Sequence, residues 1–485
     1  MKRLFILSVV LCWLLGMFLA SSCMKDESFS DEPRMLLAFS TDTVSFDTVF
    51  TSIGSATQEL IVYNDNDKGV RLTSVRLASG GNSGFRVNVD GLYGTQFADV
   101  EIGHEDSIFV FVEVTVNPQK SDSPVLISDS LLFTLPGGVT QRIILEAYGQ
   151  DVIVMRGEHF RSDTVLSSMR PYLIYDSLVV DSNATLSIEP GAMLYFHDKA
   201  GLDVHGTLKA KGTLEKPITF RGDRLDKLLW YLPYEQVDAL WNGIHIFGGS
   251  TDNELEFCDI HSGCFGIRVD GTADSQSLTL MNSVVHNVAG HGLDLNYCAA
   301  MVGNSQITNS MGNCVNVTGG VVNFCFSTIA QFYPWSECGH ALYFTNIKND
   351  TIYPLHELAF RNCIVTGYED DEIFGTRVEN NDADFNYFFA NSLVLTDSNA
   401  VDMERFVDCV FESDTAFSKK HNFRRLTIPN KDYSCDFRLD SISKARGIGE
   451  YISDQYALDR NGIARPNEHP DAGCYQFVGI QEGGR

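Results

Sequence analysis

Asp259 and His261 stand two positions apart in the segment Phe257-Cys258-Asp259-Ile260-His261, and His286 closes the later segment Asn282-Ser283-Val284-Val285-His286. A carboxylate and two imidazoles gathered on one face form an acid/base or metal-binding patch, because imidazole titrates near neutral pH and ligates metals. His291 and His340, with Asn313 between them, form a second candidate column. Either set exists only if the fold brings segments distant in the chain side by side, so the elements that carry them decide the matter.

Those elements repeat. Phe257-Cys258-Asp259-Ile260, Asn282-Ser283-Val284-Val285, Asn304-Ser305-Gln306-Ile307, Phe326-Ser327-Thr328-Ile329, Asn362-Cys363-Ile364-Val365, Asn391-Ser392-Leu393-Val394 and Asp408-Cys409-Val410-Phe411 share one template. It is a turn-prone or aromatic residue, then Ser or Cys, then any residue, then an aliphatic or aromatic one. Successive Ser/Cys positions are 25, 22, 22, 36, 29 and 17 residues apart, so several coils are near 22 residues and the longer ones carry loops. A second element follows the first four copies: Gly266-Ile267-Arg268-Val269, Gly292-Leu293-Asp294-Leu295, Cys314-Val315-Asn316-Val317 and Ala341-Leu342-Tyr343-Phe344. Period-2 alternation turns the aliphatics inward and aligns Arg268, Asp294, Asn316 and Tyr343 outside. A coil of this length with short strands and no helical period predicts a parallel β-helix, with Asp259, His261 and His286 outward on adjacent coils about 4.8 Å apart.

From Met35 to Gln150 the pattern is different. Runs such as Ser107-Ile108-Phe109-Val110-Phe111-Val112-Glu113-Val114 alternate strictly, and turn residues at Asn64 to Gly69 and Gly80 to Gly84 separate them. This predicts antiparallel strands packed as a sandwich. The Asn64-Asp65-Asn66-Asp67-Lys68-Gly69 turn fails the EF-hand spacing and is read as a hairpin.

Together these segments resemble the right-handed parallel β-helix lipoproteins of Bacteroidetes, with a pectate-lyase-like fold. The resemblance rests on Thr185 to Gly191, Gly206 to Phe220, Trp241-Asn242-Gly243-Ile244, Asp459-Arg460-Asn461-Gly462 and Pro470-Asp471-Ala472-Gly473. It implies an all-β chain: an Ig-like β-sandwich over 36–150, a right-handed parallel β-helix over 151–477 and a tail at 478–485. The N-terminus agrees. Met1-Lys2-Arg3, an apolar run from Leu4 to Ala20 and Ala20-Ser21-Ser22-Cys23 read as a lipoprotein signal over 1–22, with acylation at Cys23 and an acidic tether over 23–35. Lys25-Asp26-Glu27 behind that cysteine is similar to a Bacteroidetes surface-export signal, which implies an outer-membrane lipoprotein exposed at the cell surface. Repeated Asp-Ser/Thr-aliphatic triplets, such as Asp129-Ser130-Leu131, are similar to an O-glycosylation acceptor and equally read as ordinary turn formers.

A net charge of −27 excludes nucleic acid as a partner and repels acidic polysaccharides unless a local basic groove or bound cations intervene. Cys258, Cys363 and Cys409 occupy rungs that Ser fills elsewhere, so they are read as buried free thiols rather than bridges. No paired C-x-x-C spacing is present, and no cofactor is expected; Ca2+ at the acidic stretches Glu369–Glu372 and Asn380–Asp384 is weighed against plain solvated turns. Trp230, Tyr231, Tyr234 and Trp241 surround an insertion over Asp223–Leu240 and are candidate contacts for a glycan or a protein. Gly290-His291-Gly292 is similar to a polygalacturonase fingerprint but lacks its upstream acidic pair. The reading placed first is a non-catalytic scaffold or recognition subunit beside an outer-membrane barrel protein. A polysaccharide lyase or glycoside hydrolase acting on the helix flank comes second, and an adhesin third. A groove with convergent acids or a Lys/Arg beside His286 and His291 would favour the enzyme; a flat aromatic patch would favour a partner.

Overall fold

The computed structural model describes residues 28–30, 32, 35–378, 383–399, 401–412, 421–427 and 433–479. Cys23, the signal segment and residues 380–382 of the acidic stretch lie outside them. The chain divides into two compact units, residues 1–119 with 124–150, and residues 120–123 with 151–485.

In the first unit, alternation does what it predicts. Along Asp106–Val114 the side chains of Ile108, Val110, Val112 and Val114 are buried while Phe109 and Phe111 are exposed and stacked on each other. Two sheets share one core. One carries Gly69–Leu77, Val125–Thr134, Thr140–Gln150 and Thr43–Phe50, antiparallel except for the last pair, which is parallel; the other carries Gln58–Asn64, Asp106–Val114 and Phe85–Val89, all antiparallel. The Asn64–Gly69 turn is not a hairpin, because Gln58–Asn64 and Gly69–Leu77 belong to different sheets. Asn64 is buried and its side-chain amide donates to the carbonyls of Lys68 and Gly103, which fixes the crossing.

The second unit is a parallel β-helix. One sheet stacks eleven strands in strict chain order, among them Ile218–Gly222, Cys258–His261, Val284–Val288, Gln306–Ser310 and Thr328–Gln331. A larger parallel assembly completes the coils. The template residues have a physical cause. Phe257, Asn282, Asn304, Phe326, Asn362, Asn391 and Asp408, the first residue of every copy, all have φ between 46° and 54°. This left-handed corner is tolerated best by Asn and Asp, so the two phenylalanines are held there by their surroundings.

The next residue turns inward and forms a ladder. The Cys258 N–H donates to Ser283 Oγ (3.0 Å), Ser283 N–H to Ser305 Oγ (3.2 Å) and Cys363 N–H to Ser392 Oγ (2.9 Å). Each serine hydroxyl in turn donates to the carbonyl two residues back, as Ser305 does to Gly303 at 2.8 Å. Ser305→Ala strands the buried Ser283 N–H, while the Gly303 carbonyl keeps the Asn282 N–H, and is expected to cost about 1–3 kcal/mol. Ser305→Cys should cost clearly less, since Cys258 and Cys363 already serve as rungs. Urea midpoints of both variants check this, and an alanine variant as stable as the parent would show that the ladder contributes nothing.

The second element is in the expected register: Arg268, Asp294, Asn316 and Tyr343 are successive partners. Arg268 pairs with Asp294 at 3.0 Å and Asn316 donates to the same carboxylate at 2.8 Å. Inside, Phe324, Phe360, Phe389 and Phe406 stack ring on ring at 4.6–4.7 Å. Every cysteine among the described residues is a free thiol.

Candidate functional site

Asp259 and His261 lie on the same face of strand Cys258–His261 because side chains two apart in a strand point the same way. His286 is the in-register partner of His261 on the next coil. The three meet: Asp259 Oδ1 is 3.0 Å from His261 Nδ1 and 3.2 Å from His286 Nε2, and the two rings stack at 4.8 Å. His286 Nδ1 lies 3.0 Å from Asn287 Oδ1, and Asn287 Nδ2 donates to the Gln236 carbonyl at 2.9 Å.

The electrostatics separate the two imidazoles. Burial pushes the Asp259 carboxyl up, but the charges and hydrogen bonds of His261 and His286 outweigh it and hold it well below the usual range. Burial lowers His261 despite the pull of Asp259. For His286 burial is again the largest influence and acts downward, yet Asp259, Asn287 and Glu235 together leave it raised. His261 is 5% exposed, and its Nε2 is buried with no hydrogen-bond partner.

The flank above these groups is concave. A cleft of ≈ 390 Å³ is walled by the cluster, by Glu235 and Gln236 of the insertion, by Gln306, Thr308 and Asn309 of the next coil, and by Tyr433, Cys435, Arg460 and Tyr475. The last four come from a C-terminal segment that folds back along the helix. Tyr475 donates its hydroxyl to Gln306 Oε1 at 2.9 Å, Cys474 N–H donates to Thr328 Oγ1 at 3.1 Å, and Arg465 donates to Asn304 Oδ1 at 2.9 Å. Asp459 and Asp471 pin that segment: Asp459 accepts from the backbone of Asn461, Ile463 and Gln476, and Asp471 from Gly447 and Phe477. Arg460 Nε is buried without a partner. In the sequence Asp459-Arg460-Asn461 carries only the fold resemblance, and the one cation within it is the signal that points to the cleft.

The other candidates are placed differently. His291 and His340 do form a column, with His291 Nδ1 accepting from Asn313 N–H (2.9 Å) and His340 N–H donating to Asn313 Oδ1 (2.9 Å), but neither lines the cleft. Trp230 is 78% exposed at the tip of the hairpin Lys227–Leu229/Leu232–Pro233, with Tyr231 beside it at 5.0 Å and Tyr231 reaching Tyr433 at 6.0 Å. Tyr234 is half-buried under the guanidinium of Arg224. Trp241 cannot be a contact residue: it is wholly buried, stacked on Phe196 at 4.4 Å, and its indole N–H donates to the His261 carbonyl at 2.7 Å. The acidic stretch is not a simple solvated turn either. Glu372 is fully buried and accepts from the Ala341 and Glu369 N–H groups at 2.7 and 3.0 Å.

Residues 175–327 match the family described as a right handed beta helix region, in agreement with the parallel, chain-ordered sheets. Among curated proteins none matches. A solved family 123 glycoside hydrolase from Clostridium perfringens, described for glycolipid glycan hydrolysis, is similar over 24% of this chain and 26% of its own, at 8% identity and a TM-score of 0.18. The chain thus spans about a quarter of that protein. Pectate lyase Pel9A is similar over 68% of this chain and 88% of its own, at 13% identity and a TM-score of 0.27. The family 28 exopolygalacturonase of Yersinia enterocolitica is similar over 74% and 84%, at 10% identity and a TM-score of 0.15.

Proposed function

We propose that this chain is a glycan-cleaving enzyme of the lyase class that works in the flank cleft on a polysaccharide containing acidic sugars. The observation that carries the reading is that Arg460, with an unpartnered guanidinium nitrogen, walls the same cleft as the Asp259–His261–His286 cluster. A concave flank walled by a guanidinium favours the enzyme over the scaffold reading, whose mark is a flat aromatic patch. Elimination passes the proton beside the sugar carboxylate to a basic side chain lining the cleft, forms the C4=C5 double bond from the freed electron pair, and breaks the C4–O bond as the leaving oxygen takes up a proton. Its costly feature is charge building on the carboxylate, which a guanidinium relieves. Hydrolysis needs two available carboxylates across the bond. Here Asp259 is engaged by both imidazoles and Glu235 faces Arg221 at 3.5 Å.

Anchored at Cys23, with the first unit as an Ig-like spacer, the enzyme would work at the outer face of the outer membrane. Incubation with polygalacturonate, alginate and glucuronate-containing glycosaminoglycans should release products with the ultraviolet absorbance of an unsaturated uronate. Arg460→Ala and Asp259→Asn should each reduce that rate about 100-fold or more with circular dichroism unchanged. Reducing ends without absorbance would make it a hydrolase; no product from any of these polymers would remove the enzyme reading.

A further inference from the structure

We propose that Asp259, His261 and His286 hold a divalent first-row transition-metal ion. Two imidazoles and a carboxylate are the donor set of open catalytic metal sites, in which remaining positions are left to water or substrate. Calcium and magnesium demand six or more oxygens and are poorly matched to it.

The spacing fits. One donor atom from each residue lies within 4.8 Å of the others, and the carboxylate oxygen sits 3.0 and 3.2 Å from one nitrogen of each ring. Ligands about 2.1 Å from a tetrahedral ion stand roughly 3.4 Å from one another, so the two oxygen–nitrogen separations already match and the ring nitrogens need only adjust within the 4.8 Å span. Without an ion, a single carboxylate oxygen, Asp259 Oδ1, serves one nitrogen of each imidazole.

The surroundings are built as an outer shell. His286 Nδ1 faces Asn287 Oδ1 at 3.0 Å, and Asn287 is fixed in turn by the Gln236 carbonyl, which sets the ring with Nε2 toward Asp259. Trp241 holds the His261 backbone from below. Glu235 and Asn309 wall the open side. As a second positive charge in the cleft the ion deepens the lyase reading, and in that role alone rests on it.

The test uses the full chain, stripped with a chelator and titrated with Zn2+ by calorimetry in the absence of any glycan. One equivalent should bind with micromolar or tighter affinity and raise the melting temperature. Reloading with Co2+ should produce visible absorption bands from nitrogen and oxygen ligation. Asp259→Asn and His286→Ala should each weaken binding about 100-fold, whereas His291→Ala should leave it unchanged. Wild-type protein that binds Zn2+ no better than His286→Ala overturns the proposal, as does binding lost equally in His291→Ala. Zinc bound without cleavage of any polymer leaves the metal site standing and removes the lyase. Cleavage by a chain that binds no metal does the reverse.

Discussion

Trp241→Ala is expected to lower the stability of the β-helix by about 3–5 kcal/mol, the range for truncating a large buried aromatic. The indole fills the coil interior against Phe196, and its removal opens a cavity that stacked coils cannot collapse to fill, because their spacing is set by backbone hydrogen bonds. Trp241 is also bridged in parallel to Gly263, where the next coil begins. A second loss is specific to the site: without the indole donor the His261 carbonyl is stranded. Trp241→Phe separates the effects, keeping the stack and losing only the donor, for about 1–3 kcal/mol. Urea midpoints give the stabilities, and the Zn2+ affinity of Trp241→Phe reports whether His261 has moved. A phenylalanine variant with unchanged stability would show that the indole hydrogen bond contributes nothing.

The second large effect is a dependence on pH. Burial raises the Glu372 carboxyl to about 8, with the charges of Glu369 and Asp371 adding to it against two backbone N–H donors. The unfolded chain ionises this group near its ordinary value of 4.5. Its contribution is therefore fully present below pH 4.5, falls as the unfolded state ionises while the native state keeps its proton, and is gone above about pH 8. A shift of that size corresponds to about 3–5 kcal/mol between the two limits. The group sits at a corner where Gly367 leaves it room, since a Cβ there would lie 2.0 Å from Glu372 Oε1. Thermal midpoints recorded from pH 5 to 8 should decline, and the slope should flatten in Glu372→Gln whatever that change does to the level. An unaltered slope would place the titrating group elsewhere.

The repeat was legible because its cause is local. A left-handed corner wants Asn or Asp, the next position wants a small polar rung, and both demands recur on every coil. Asp259, His261 and His286 were legible for the same reason, since period-2 alternation and coil register assign faces without long-range information. The roof of the cleft was not. Cys435, Arg460 and Tyr475 reach it from a segment with no period of its own, and the bond from Tyr475 to Gln306 spans 169 residues. Trp241 misled because an aromatic beside an insertion looks like part of it, whereas it opens the following coil. Glu372 misled because an acidic run looks solvated, although one of its members turns inward.

That returning segment also orders events in time. As the chain emerges from its N-terminus, each coil can settle on the one before it, so Asp259, His261 and His286 meet once two adjacent coils have formed. Arg460 and Tyr475 arrive last, after more than 170 further residues have been made. The cluster is thus assembled early and open, and the cleft acquires its guanidinium only after the remaining coils and the returning segment have been made. A molecule truncated before Arg460 would keep the cluster and lack the guanidinium on which the proposed recognition of an acidic sugar rests.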